Sequence, residues 1–244
     1  MFTEMTAEGP NRQWADRAAS LYDQAYARRY RDRDNELEGA GTNQALIDWL
    51  GSVCDRFDRP IDVLDLGCGT GRYFWGLRHV QSLTGIDASA PMLDEARRPI
   101  HGERLAALPV SLIHGDVMTH VFPPGTFDLV YSIGVLAEHV PLTAAVVDRV
   151  HSWLRPGGRF AFTTVHPASP SVSRTMQRRI GSAAVDLLPA SMTASLHHRL
   201  MAGGLYADER WIEGVLAGRF AIESLERFST DVHLHGRVVA RKAA

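Results

Sequence analysis

Apolar residues follow two kinds of pattern along this chain. The nearly continuous apolar run Ile61–Leu66 has the character of a strand covered on both faces, and Val110–His114, 82–87 and 159–165 read as further strands. Residues 127–134 add a fourth strand and the start of its exit loop. Between and around these runs the apolar spacing turns helical. From Trp14 to about Leu37, Leu21, Tyr22, Ala25, Tyr26 and Tyr30 recur three and four residues apart, which puts Tyr22, Tyr26 and Tyr30 on one face. Gly39 and Gly41 break that segment, and Thr42 or Asn43 can cap a second helix over 44–55. Further helices are predicted over 72–80, 144–154 and 206–216, the fourth stopped by Arg155-Pro156-Gly157-Gly158. Residues 220–228 and 232–240 alternate as two strands joined by a turn at 229–231. Strands alternating with helices, closed by a hairpin, predict an α/β sheet whose last strands are antiparallel.

The chemistry concentrates where the first strand ends. Gly67, Gly69 and Gly71 follow Asp65 and Leu66 directly, with Cys68 and Thr70 between them. Glycines at this spacing let the backbone turn sharply and approach a ligand, because no Cβ intervenes. A helix starting at Tyr73, Phe74, Trp75 and Leu77 would aim free N–H groups at the same place. Asp65 decides the sign of the ligand: a carboxylate here is a poor neighbour for the pyrophosphate of a dinucleotide and a good one for a cation.

Composition narrows the classes. The 244 residues are 45% hydrophobic and 22% charged, which suits one soluble domain over 1–244, and the formal charge of −2 offers no basic field for nucleic acid. Two cysteines make no disulfide framework, which with the lack of a signal-like N-terminus or spanning apolar run points to the cytoplasm and no membrane. Lys242 is the single lysine, so a base elsewhere must be His, Asp, Glu, Tyr or Cys.

Asp65-Leu66-Gly67-Cys68-Gly69-Thr70-Gly71 resembles the first motif of class I S-adenosylmethionine-dependent methyltransferases. Later stretches fall in that family's order. Gly85-Ile86-Asp87-Ala88-Ser89, followed by Met92, is similar to the end of its second strand. The resemblance implies that Asp87 accepts both ribose hydroxyls and that Met92 packs on adenine, the alternative for Met92 being helix core. It further implies that Asp116 takes the adenine amino group and that Val117 offers a backbone N–H. Backbone at Ser132 and Ile133 would face the ligand crevice. Tyr22-Asp23-x-x-Tyr26-x-x-x-Tyr30 is similar to the family's N-terminal lid (1–40 here), where Tyr22 and Tyr30, helped by Arg28 or Arg31, would meet the methionine carboxylate. The alternative is an amphipathic helix docking its aromatic face on the core.

Residues 135–142 resemble the Leu-x-His-Val-Pro signature of ubiquinone- and menaquinone-biosynthesis methyltransferases, with Leu142 where that branch more often has Asp. His139 and His166 are the catalytic candidates, each with a bland alternative as a loop-orienting side chain. No metal site is expected. Tyr131-Ser132-Ile133-Gly134 stands where base-amine methyltransferases carry Asn/Asp-Pro-Pro-aromatic, which weighs against DNA adenine or protein glutamine methylation. The family implies a Rossmann-like sheet of order 3-2-1-4-5-7-6 with strand 7 antiparallel, helices on both faces and a small helical substrate cap over 168–205. The expected activity is methyl transfer to a small molecule, leaving S-adenosylhomocysteine, by a monomer or homodimer. The alternatives are an RNA or protein methyltransferase and a non-catalytic S-adenosylmethionine-binding regulatory subunit.

Overall fold

Strand β1 (Ile61–Leu66) has five of its six residues buried, as its apolar run requires, and it sits mid-sheet. The computed structural model describes residues 22–36, 41–170, 172, 205–230 and 233–243. Within these, β1, β2 (Val80–Asp87), β3 (Val110–His114), β4 (Phe127–Ser132), β5 (Leu154–Val165), β6 (Phe220–Ser229) and β7 (Leu234–Lys242) form one sheet of order β3-β2-β1-β4-β5-β7-β6. β1 pairs in parallel with β2 and β4, and β2 with β3, while β7 runs antiparallel to β5 and β6. This is the order and the reversed last strand of the class I methyltransferase sheet.

Contacts divide the chain into two units, Met1–Tyr131 and Ser132–Ala244. In the first, helix α1 (Gln24–Glu36) and helix α2 (Gly41–Cys54) precede β1. Leu46, Ile47, Trp49, Leu50 and Val53 form the buried stripe of α2. Helix α3 (Ala90–Ala96) follows β2, with Ser89 as its N-cap: the Ser89 hydroxyl accepts the Met92 N–H.

The helix predicted over 72–80 is absent, and a single 3-10 turn at Phe74–Gly76 stands in its place. The reason is reach. Six residues of β1 extend about 20 Å, whereas the eight residues 72–79, wound as a helix, would rise only about 12 Å. To return to the start of a parallel neighbour the chain must stay largely extended. Aromatic spacing alone does not reveal that limit.

In the second unit, helix α4 (Ala144–Trp153) buries Val146, Val147, Val150 and Trp153. β5 begins at Leu154 and absorbs the Arg155-Pro156-Gly157-Gly158 segment expected as a stop. Gly157 takes φ +76°, and its N–H donates to the Ala243 carbonyl. The Lys242 ammonium closes the helix end by donating to the carbonyls of His151 (2.7 Å) and Leu154 (2.8 Å). Helix α5 (Glu209–Leu216) starts later than expected because Asp208 caps it, accepting the Trp211 N–H at 2.8 Å. Residues 14–21 of the predicted first helix and most of the cap at 168–205 lie outside the described residues.

Candidate functional site

The glycine turn after β1 is tied to β2. The N–H groups of Gly67 and Cys68 both donate to the Ile86 carbonyl, at 2.8 and 3.1 Å. Gly67, Gly69 and Gly71 all take positive φ (79°, 53° and 75°), the left-handed region in which a Cβ is strained. Close packing explains the neighbours. A Cβ on Gly69 would meet Met92 Cε at 3.3 Å, and one on Gly85 would meet Cys68 Sγ at 2.9 Å. Met92 is therefore packed against the turn itself, and the buried Cys68 thiol, its pKa pushed well up by desolvation, fills the space that Gly85 leaves.

Two carboxylates at this turn have opposite surroundings. Asp87, half-buried at the end of β2, accepts the Gly69 N–H on one oxygen and the Ser89 N–H on the other, each at 2.8 Å. Burial raises its pKa, and those two N–H groups hold the rise down. Asp65 is only 3% exposed, and burial carries its pKa up to about 8, with Asp87 adding to the rise. The Tyr131 hydroxyl, buried and without a hydrogen-bond partner at ordinary distance, lies close enough to temper it. Tyr131 is the register partner of Asp65 on β4.

Helix α1 is pinned over the same turn. The Ser89 hydroxyl donates to the Tyr22 carbonyl at 2.6 Å, and Tyr22 and Tyr26 meet edge to face at 4.8 Å. Arg31 donates to the Thr70 carbonyl (2.8 Å) and the Glu95 carbonyl (2.7 Å). Asp34 is fully buried and accepts from the Thr70 hydroxyl and the Arg72 guanidinium, which lies over the Tyr30 ring at 4.6 Å. Burial raises the Tyr30 phenol pKa above its usual range. Sequence reading found the tyrosine face and Arg31 but missed the Asp34–Thr70–Arg72 contact. The available signal was an acid three residues after Arg31 on an aromatic helix face.

Asp116 closes a local turn. Its Oδ1 accepts the Met118 N–H at 2.7 Å, and Val117 beside it is buried. The end of β3 is joined to β2 through the Gly115 N–H, which donates to the Asp87 carbonyl at 2.9 Å.

In the second unit, Ser132 is fully buried and Ile133 partly so. The loop after them folds tightly. The Gly134 N–H donates to Thr163 Oγ1 at 3.0 Å, Ala137 takes φ +55°, and the Val135 carbonyl accepts the N–H groups of Glu138, His139 and Val140. Glu138 is tucked in, and desolvation lifts its pKa to about 7, while His139 Nε2 lies 3.7 Å from Glu138 Oε1. Leu142 is buried, and its carbonyl accepts Trp211 Nε1 at 2.7 Å, a backbone contact that needs no acid at this position. His166 Nδ1 accepts the Ala168 N–H at 3.0 Å, and Nε2 faces Glu209 Oε2 at 3.5 Å. Arg227 holds Glu209 in turn and lowers its pKa to about 2. Each ring nitrogen of His166 thus faces a neighbour, Nδ1 the Ala168 N–H and Nε2 the Glu209 carboxylate.

Residues 63–158 match the family model described as a methyltransferase domain. Over that stretch the chain resembles a methyltransferase domain, and its sheet has the order of the class I fold. S-adenosylmethionine is the methyl donor of that class, the cofactor the motif resemblance implies. An uncharacterized methyltransferase of Mycobacterium tuberculosis is 35% identical over 116 residues, 47% of this chain and 52% of the relative. The ubiquinone biosynthesis O-methyltransferase of Pseudomonas aeruginosa is 31% identical over 146 residues, 59% of this chain and 60% of the relative. The chain thus spans about half to three-fifths of the length of these curated relatives. Magnesium protoporphyrin IX methyltransferase from Synechocystis, solved with bound S-adenosylhomocysteine, shares the fold with a TM-score of 0.67 at 20% identity, over 94% of this chain and all of that one. Among the described residues no helix is long and apolar enough to cross a membrane.

Proposed function

We propose that this chain transfers a methyl group from S-adenosylmethionine to a small-molecule acceptor, an O, N or C nucleophile of natural-product or quinone-like metabolism. One observation carries the reading: a left-handed glycine turn stands between a buried carboxyl without a cation, Asp65, and a half-buried carboxylate, Asp87, at the ends of neighbouring parallel strands. An ammonium group fits the first and a ribose diol the second, whereas a pyrophosphate fits neither. When bound, the cofactor supplies an electrophilic methyl that a nucleophile takes by in-line displacement, so the protein's part is alignment and exclusion of water.

In this reading the backbone of Gly67, Cys68, Gly69 and Gly71 cradles the cofactor and Asp87 holds the ribose. Ala88, Met92, Asp116 and Val117 border the adenine. Tyr22 and Tyr30 belong to the lid, and Ser132 and Ile133 are further cofactor-binding candidates. His166 serves as a structural tie between β5 and α5. Glu138 and His139 are the pair suited to take a proton from an oxygen acceptor, since a carboxyl near neutrality can both accept and return it. The quinone-biosynthesis name of the P. aeruginosa relative supports that acceptor class. An RNA substrate is disfavoured by α1, where Arg31 turns to Thr70 and Glu95 instead of continuing a row with Arg28, Arg29 and Arg33.

Calorimetric titration with S-adenosylmethionine, S-adenosylhomocysteine and NAD tests the cofactor. Binding of the two sulfur nucleosides, weakened at least about tenfold by Asp87→Ala, is the expected result, and binding of NAD alone refutes it. Transfer of labelled methyl to catechol-, quinol- or amine-type acceptors separates an enzyme from a regulatory subunit, which would bind without turnover.

A further inference from the structure

Asp65 is surrounded by groups that cannot balance its charge. Tyr131 faces it from β4, Cys68 from the glycine turn, Tyr73 from the crossover and Asp87 from β2, and every one is neutral or acidic. Among the described residues no arginine, lysine or backbone N–H donates to its carboxyl. The contrast with the other buried acids of the first unit is chemical. Asp34 has Arg72, Asp128 has Arg59 at 2.6 Å together with the Asp62 N–H at 2.9 Å, and Asp87 has two backbone N–H groups. An isolated carboxylate in such a place neutralises itself by taking a proton. The buried Tyr131 hydroxyl is the side-chain donor beside it, and being neutral it tempers the carboxyl without balancing a charge.

We propose that loading of the cofactor's ammonium group expels a proton from Asp65, so that the site exchanges one cation for another. The proposal rests on the functional reading above. The step balances: the neutral carboxylic acid and the ammonium-bearing ligand become a carboxylate–ammonium pair, and one proton passes to solvent. No covalent bond other than O–H changes. The Asp65 carboxyl is thereby kept uncharged until a ligand with a positive group arrives, and cofactor affinity is coupled to pH below about 8. Because the carboxyl holds its proton up to about pH 8, the coupling is nearly complete at pH 6.5. A nucleoside without the ammonium gains nothing from the exchange and releases no proton.

The test is calorimetric titration of the full chain at pH 6.5 in phosphate and in imidazole, whose ionisation enthalpies differ, so that released protons are counted directly. S-adenosylhomocysteine carries the ammonium group; 5′-methylthioadenosine shares the adenosine and lacks it. Close to one proton should leave per S-adenosylhomocysteine and none per 5′-methylthioadenosine, with S-adenosylhomocysteine affinity rising about tenfold between pH 5.5 and 6.5. The Asp65→Asn protein should bind S-adenosylhomocysteine with no proton release and a flat pH dependence. If that variant does not fold, the two nucleosides on the native protein decide alone. Release of less than about a quarter of a proton, equal release with both nucleosides, or undiminished release from folded Asp65→Asn overturns the proposal while leaving the functional reading intact. Failure of both nucleosides to bind overturns the functional reading and this proposal with it.

Discussion

Replacing Asp34 with Ala removes the acceptor that joins helix α1 to the glycine turn. Asp34 is fully buried, and Arg72, its partner, keeps only 13% of its side chain exposed. The variant leaves that guanidinium stacked on Tyr30, largely shielded from solvent and without the Asp34 counter-charge, and leaves the Thr70 hydroxyl without its acceptor. Removing one member of a buried ion pair costs about 3–5 kcal/mol, and the Thr70 hydrogen bond is part of that figure. A useful contrast is Arg78 with Asp55, an ion pair with side chains 51% and 42% exposed, whose loss should cost under about 1 kcal/mol. Urea unfolding of Asp34→Ala and Arg78→Ala beside the native protein measures both. Cofactor titration should show weaker binding in Asp34→Ala only, because Thr70 and Arg72 flank Gly71. A joint Asp34→Leu, Arg72→Leu substitution should recover much of the stability, since an apolar pair of similar volume leaves no stranded charge. A loss under about 1 kcal/mol for Asp34→Ala, with unchanged cofactor affinity, would refute the idea that α1 and the turn are held together by charge.

The other expectations are briefer. Gly71→Ala adds a Cβ at φ +75°, 2.7 Å from Phe74 and 3.3 Å from Pro99, so it should cost about 2–4 kcal/mol and abolish cofactor binding; a melting temperature within a degree of native would contradict this. Asp65→Asn bears on stability as well as binding. The folded carboxyl keeps its proton to about pH 8 while the unfolded one loses it near pH 4, so native stability falls as pH rises through that window. The variant lacks this slope and should gain on the native protein by up to about 1.4 kcal/mol per pH unit, seen in melts at pH 5, 6.5 and 8; a pH-independent difference speaks against a protonated Asp65. Lys242→Met leaves the carbonyls of His151 and Leu154 without their donor and should cost about 1–2 kcal/mol in urea unfolding; no loss would mean that solvent replaces the ammonium fully.

Sequence and structure agree where a single local cause decides. β1 and β3 end where their apolar runs end, because a glycine, Gly67 or Gly115, follows each run and turns the chain. The closing hairpin was legible from its alternating pattern, though β7 runs two residues further than that alternation suggested. The crossover at 72–79 was misread because Tyr73, Phe74 and Trp75 satisfy helical spacing, whereas its conformation is set by how far the chain must travel. The turn carrying Gly67, Gly69 and Gly71 was readable from backbone permissiveness alone. Its partners were not. Asp34 lies 38 residues from Arg72, and nothing in either neighbourhood announces the other. His166 illustrates the remaining gap: the sequence places a histidine at the end of β5, but only the positions of Ala168 and Glu209 show what its two nitrogens face.

Lys242 also fixes how this protein can be handled. As the single lysine of the chain it is the one side-chain amine open to acylating dyes, cross-linkers and activated resins. Burial lowers its pKa, which raises the share of free amine available to such reagents. Its hydrogen bonds to α4 and β5 compete with that reaction, since the nitrogen must let go of both carbonyls before it can attack. Labelling therefore proceeds only from conformations in which the end of β7 has come away from the helix. Coupling through this side chain would be selected for molecules in which the end of β7 has opened, so a fluorophore or surface is better carried by an introduced cysteine on an exposed loop.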